Sequence, residues 1–374
     1  MVIEEREKLM LWIYFSETLL YLCFSLLMGS FIIALIPINN KPSISLNKRW
    51  LQFSILGIVV LSLFPIIRLV LFLYEDIGLS LTIQNVIAGF EVGRAWTFTL
   101  FLAFIFYLYV SIFSVFTNKK HILVSILFTL ALILSLGWAS HSASLTEWSG
   151  FIAHTLHFLA VTIWIGILII VSWFSVNHHN WAAFLKWFTP VAIICLVIII
   201  GTGLFLMSLV QEFNVYANSW LLPYGQALLI KHIIIIPIIV FASINGIWMR
   251  KRIKLDSKIN PLPWVKAESG LLLLIFIATA VLGQQEPPHS VESTISGGGL
   301  SNIFGALHNG VITTPIEASF DINLIGLLFF MLTLVFLVLT VAVFVKKIPS
   351  IVAFIMSVLC IVSLYLGLMN SVVY

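Results

Sequence analysis

His154 and His157 stand three residues apart in Phe151-Ile-Ala-His154-Thr-Leu-His157-Phe158. On a helix that spacing sets two imidazoles on one face, close enough to share a ligand. His141 precedes them in Gly137-Trp-Ala-Ser-His141, and His232 follows Lys231 further along the chain. Neutral imidazole binds copper, zinc, iron and nickel. The thioether of Met207 adds a soft ligand suited to Cu(I). A bis-imidazole haem is a second use of such residues, with His157 and His232 as its axial pair in an electron-transfer protein. A lone histidine in a membrane helix has a plainer use, as an interhelical hydrogen bond. Four directed to one face point instead to a metal or cofactor site.

What must position them is a membrane bundle. Of 374 residues, 61% are apolar and 9% charged, and the mean hydropathy is +1.13. Apolar stretches at 9–36, 50–74, 95–116, 121–139, 150–175, 184–210, 225–249, 267–283, 322–345 and 348–370 approach or exceed the ~20 residues that a hydrocarbon layer requires. In lipid a lone strand would leave its backbone groups unpaired, so these segments are helices. The expected fold is an all-α polytopic transmembrane helix bundle of about ten spans.

The loops and flanks after the odd-numbered spans hold Lys41, Lys48, Arg49, Lys119, Lys120, Lys186, Arg250, Lys251, Arg252, Lys254, Lys258, Lys266, Lys346 and Lys347. The opposite side holds Arg6, Lys8 and Arg94. This asymmetry places the odd-numbered connections in the cytoplasm and both termini outside. His154 and His157 then lie roughly 6 and 10 Å inside the outer end of the fifth span, and His232 about 10 Å inside the seventh. His141 closes the fourth span at the outer lip.

Other polar residues within the spans need partners as well. Glu17 and Arg68 lie at comparable depth and are expected to pair, because either charge alone is costly in lipid. Asn245, Gly246, Trp164 and Gly166 suggest close helix packing. Cys23, Cys195 and Cys360 occur singly inside spans, without a CxxC, as small packing residues. His121, His178 and His179 fall on the cytoplasmic side, and His289 and His308 on the outer connection. The N-terminal MVIEEREK runs directly into a full-length span, unlike a cleavable signal peptide. The net charge of +4 comes from cytoplasmic flanks and implies no nucleic-acid partner. No phosphate-binding GxxxxGK[ST] and no DKTGT or CPC occurs, so any transport runs downhill or on an ion gradient. No acidic residue is clearly placed as a general base, Glu147 being the nearest, and an enzyme is not expected.

At these residues the chain resembles the copper resistance D (CopD/PcoD) family of bacterial inner-membrane proteins. The resemblance rests on the small-residue run ending at His141, on HxxHFxAxxxWxG from His154 to Gly166, and on Lys231-His232 leading to Asn245 before a basic loop. It covers approximately residues 10–285. It implies an eight-helix CopD-like membrane domain over 1–285, an extracytoplasmic loop over 286–321, and a two-helix C-terminal extension over 322–374. The implied function is copper ion transport across the cytoplasmic membrane, in the direction of uptake. The implied metal ligands are His141, His154, His157 and His232, with Met207 alongside, for Cu(I) or Cu(II). The resemblance also implies a separate CopC-like extracytoplasmic copper-binding partner, since no CopC domain is fused here. A non-transporting copper donor or assembly factor would use the same residues without flux.

Overall fold

Long apolar stretches without internal charge fold as helices, because only a helix satisfies every backbone group within one segment. The computed structural model of the chain describes residues 2–140, 146–256, 259–288, 290–308 and 316–374. Among the described residues, ten helices are long and apolar enough to cross a membrane. The protein is therefore a multi-pass, all-α membrane protein. The chain divides into two compact units, Met1–Leu209 and Val210–Tyr374.

The first unit comprises α1 (Val2–Leu35), α2 (Lys48–Leu61), α3 (Phe64–Ile77), α4 (Leu79–Ala88), α5 (Glu91–Ile112), α6 (Lys119–Trp138), α7 (Glu147–Phe174) and α8 (Trp181–Ser208). The expected second span, 50–74, is two helices, α2 and α3. Ser62 and Leu63 form the turn between them, and Pro65 occupies the first turn of α3, where a missing N–H costs no helical bond. The short apolar helix α4 was not expected as a separate element.

Helix α1 lies centrally, against α2, α6 and α7. Ser25 and Gly29 on α1 meet Gly166 on α7, and a Cβ at either glycine would overlap the backbone of the other helix. Around this crossing Phe24, Phe31, Ile55, Phe106 and Leu132 form a buried cluster. Phe158, one residue past His157, packs edge-on against Phe24 with ring centroids 5.2 Å apart. Helices α5 and α6 are joined by hydroxyls, with Thr99 Oγ1 and Ser135 Oγ at 2.9 Å.

On the expected cytoplasmic side, the segment after α1 is held by its neighbours. Lys41 Nζ donates to the Ile33 carbonyl at 2.6 Å, satisfying an acceptor that the last turn of α1 leaves open. Burial lowers the pKa of this ammonium from its ordinary value. Trp187 Nε1 on α8 donates to the Asn40 carbonyl at 2.8 Å.

The second unit comprises α9 (Pro223–Ser243), a π turn (Ile244–Trp248), α10 (Met249–Leu255), α11 (Leu262–Gly283), α12 (Val291–Gly298), α13 (Asn302–Leu307), β1 (Ser319–Phe320), α14 (Leu324–Val345), α15 (Ser350–Ser371) and β2 (Val372–Val373). Helix α15 packs against α14, α9 and α11, so the last two spans share a unit with the seventh and eighth. Arg252 stacks its guanidinium 4.1 Å from the Phe344 ring centroid. The same group donates to the carbonyls of Phe344 at 2.6 Å and Val345 at 2.9 Å, capping the C-terminal end of α14 with a positive charge.

The expected outer connection also has structure where it is described. Strand β1 pairs antiparallel with β2, Ser319 opposite Val373 and Phe320 opposite Val372. Phe304 is buried with Trp220, Met369 and Tyr374. Asn218 donates through Nδ2 to the Ile316 carbonyl at 2.9 Å and accepts from the Ala318 N–H at 2.9 Å.

Candidate metal site

Helices α7 and α8 pack against each other and are joined by a short connection, so they run antiparallel. The contact that fixes their register at the histidines is His157 Nδ1 to Thr202 Oγ1, 3.0 Å. Gly203 borders the ring, and a Cβ there would stand at ordinary contact, 3.5 Å from His157 Cε1.

The Thr202 hydroxyl donates its one proton to the Ile198 carbonyl at 2.6 Å. It can therefore only accept from the imidazole. The proton of a neutral His157 accordingly sits on Nδ1, and the lone pair lies on Nε2. That tautomer is the one a metal-ligating histidine needs, with an outer partner holding the other nitrogen.

One turn outward along α7 from His157 is His154, and one turn outward along α8 from Gly203 is Met207. Antiparallel helices bring these two turns to the same level. Met207 is buried, and His154 and His157 are each half-buried. His141, expected at the outer lip of the same group, lies outside the described residues, as does His289.

His232 belongs to the second unit. Its Nδ1 is 2.8 Å from the Tyr216 hydroxyl, and the two rings meet edge to face at 5.6 Å. Burial holds the Tyr216 phenol well above its ordinary pKa, so it is a neutral hydroxyl at any physiological pH. Among the described residues, no three His, Cys, Asp or Glu side chains form a group that could hold a metal ion.

The remaining described histidines have structural surroundings. His121 is bonded to Tyr109 Oη at 2.6 Å and stacks on Phe113 at 4.6 Å. His178 and His179 stack on each other at the end of α7, with centroids 6.2 Å apart. His308 stacks on Phe304 at 4.8 Å. Glu17 accepts from the Tyr21 hydroxyl at 3.3 Å, one turn along α1.

Sequence spacing did not single out Thr202, Tyr216 or Glu268. Thr202 and Tyr216 are ordinary residues until a fold sets them beside imidazoles. Glu268 carried a legible signal, an acidic residue two positions into an apolar span.

A bundle of long apolar helices with polar residues turned inward defines a multi-pass membrane protein. Residues 182–282 match the family model described as Copper resistance protein D, about a quarter of the chain, which supports the resemblance over that stretch. The match covers α8, α9 and α11, including Met207 and His232, whereas His154 and His157 precede it. No curated protein and no solved structure matches the chain.

Proposed function

We propose that the protein moves copper ions across the cytoplasmic membrane, inward, from a capture site at the outer ends of α7 and α8. His154 and His157 are its imidazole ligands, and Met207 supplies a thioether. The observation that carries this reading is the contact of His157 Nδ1 with the Thr202 hydroxyl at 3.0 Å. That hydroxyl also donates to the Ile198 carbonyl, which supports Nδ1 as the donor and Nε2 as the nitrogen offered to a metal. Met207 favours Cu(I) as the captured form. Inside-negative potential drives the cation inward by about 2.3 kcal/mol per charge per 100 mV. A separate extracytoplasmic copper-binding protein is the proposed donor to the outer face, which would present the metal as cargo.

Flux measured in vesicles containing the purified protein tests the transport claim. Copper entry above that of empty vesicles is the expected result. Helical protein that leaves the flux at the empty-vesicle rate would remove it.

The tautomer argument has its own test. Thr202→Val keeps the side-chain shape and removes the acceptor for His157 Nδ1–H. Copper affinity is expected to fall by about 10–100-fold, as for other outer partners of metal-bound histidines. An affinity equal to that of the unaltered protein would show that His157 does not bind through the orientation seen here.

A further inference from the structure

Glu268 is the most deeply buried acidic side chain among the described residues, 1% exposed, and it sits on the membrane-spanning helix α11. Its carboxyl Oε2 accepts from Asn245 Nδ2 at 2.7 Å. The same amide donates to the Trp264 carbonyl at 3.2 Å, which fixes its nitrogen on this side. Asn245 is 5% exposed, and its Oδ1 is buried with no hydrogen-bond partner. Asn245 itself lies in the π turn Ile244–Trp248, a helical irregularity that recurs at functional sites.

A carboxylate here would have one amide donor to balance a full charge inside a membrane. The charged and titratable groups of the neighbouring elements are engaged or placed elsewhere. On α9, Lys231 and His232 lie about 20 Å back from Asn245 at ~1.5 Å per residue, with Tyr224 further still. Beyond the π turn, Arg252 is committed to the α14 carbonyls, and Arg250, Lys251 and Lys254 follow the basic run of α10. Lys266 precedes Glu268 on α11 itself. On α15, Phe354 faces Gly270, and Cys360 and Tyr365 lie further toward the outer end. A proton on Glu268 resolves two deficits together. It neutralises the buried carboxyl, and it supplies an O–H donor beside an amide whose oxygen has none.

We propose that Glu268 and Asn245 form an intramembrane proton-binding site, and that its proton moves in step with the copper ion; the second half rests on the transport reading above. Glu268 lies about 9 Å from the cytoplasmic start of α11. The carboxyl O–H bond breaks to water from that side, leaving a carboxylate on the Asn245 amide, and re-forms when a proton returns.

Infrared spectra of the purified protein in liposomes at neutral pH test the site. A protonated-carboxyl C=O band is expected, absent from Glu268→Gln and shifted toward the position of an unbonded acid in Asn245→Ala. A spectrum in which Glu268→Gln removes only carboxylate absorption would overturn the site. Because Gln is the neutral isostere, Glu268→Gln is expected to unfold at the same temperature as the unaltered protein. A marked loss of stability would itself argue for a resident carboxylate. Copper flux under an imposed proton gradient tests the coupling: it is expected to respond in the unaltered protein and to become indifferent in Glu268→Gln. Unaltered flux that ignores the gradient would overturn the coupling. Protein that shows the infrared band yet carries no copper would overturn the transport reading while leaving the proton site standing.

Discussion

Protein in which His154 and His157 are both replaced by alanine is expected to lose copper binding. The loss should exceed the about 10–100-fold expected when only an outer partner such as Thr202 is changed. Both imidazoles sit on one face of α7, and His157 is held through Nδ1 by the Thr202 hydroxyl. Removing them takes away the two nitrogen donors nearest the level of Met207 and leaves a thioether without imidazole support. Each ring is only half-buried, so the helices are expected to stay folded, and circular dichroism of the double variant checks that they do. Gly203→Ala is the matching control, because its new methyl would stand at ordinary contact distance from the His157 ring. Copper bound per protein, measured after equilibrium dialysis, decides the matter. Retention of full stoichiometry and affinity by the double variant would end the assignment of this site. An absorption spectrum of the same samples separates the haem alternative, since bis-imidazole haem adds a Soret band that copper does not.

Much of the helical architecture was legible because lipid leaves a chain few choices. Ten apolar stretches had to be helices, and among the described residues ten candidate spans of the required length are found. The break between α2 and α3 was less visible, because Ser62 and Pro65 lie inside a stretch apolar enough to read as one span. The outer connection read as a loop because its short helices and its strand take their stability from Trp220, Met369 and the C-terminal residues, which sequence proximity does not reveal. At the candidate site, the i,i+3 pair His154 and His157 was legible from spacing alone. Thr202 was not, since a threonine becomes an orienting group only when a neighbouring helix brings an imidazole to it. Asn245 was read as a packing residue, and its bond to Glu268 comes from the register of two helices that no local pattern encodes. Residues that act through their own periodicity were accessible, and those that act through a partner on another helix were not.

The second large effect is expected at the crossing of α1 and α7. Gly166→Ala is expected to destabilise the protein by about 1–3 kcal/mol, the usual cost of an extra methyl in a filled core. The reason is geometric: the new Cβ would overlap the Ser25 carbonyl oxygen, and backbone cannot rotate aside as a long side chain can. Ser25 and Gly29, small residues four apart on α1, face Gly166 on α7. Ser25 is fully buried. Without a hydrophobic drive between helices in lipid, such close approach is what holds a pair together. Gly201→Ala is the counter-case, because nothing lies within 4 Å of its added methyl. There the gain in helix propensity, up to about 1 kcal/mol, is the only term. Thermal unfolding in detergent should therefore order the proteins as Gly201→Ala at or above the unaltered chain and Gly166→Ala below it. Gly166 lies about 14 Å along α7 from His157 at ~1.5 Å per residue. Displacing α7 from α1 also shifts the histidines relative to α8, and weaker copper binding is expected to accompany the lost stability. Equal unfolding temperatures for the two alanine variants would mean that the crossing is not a determinant of the bundle.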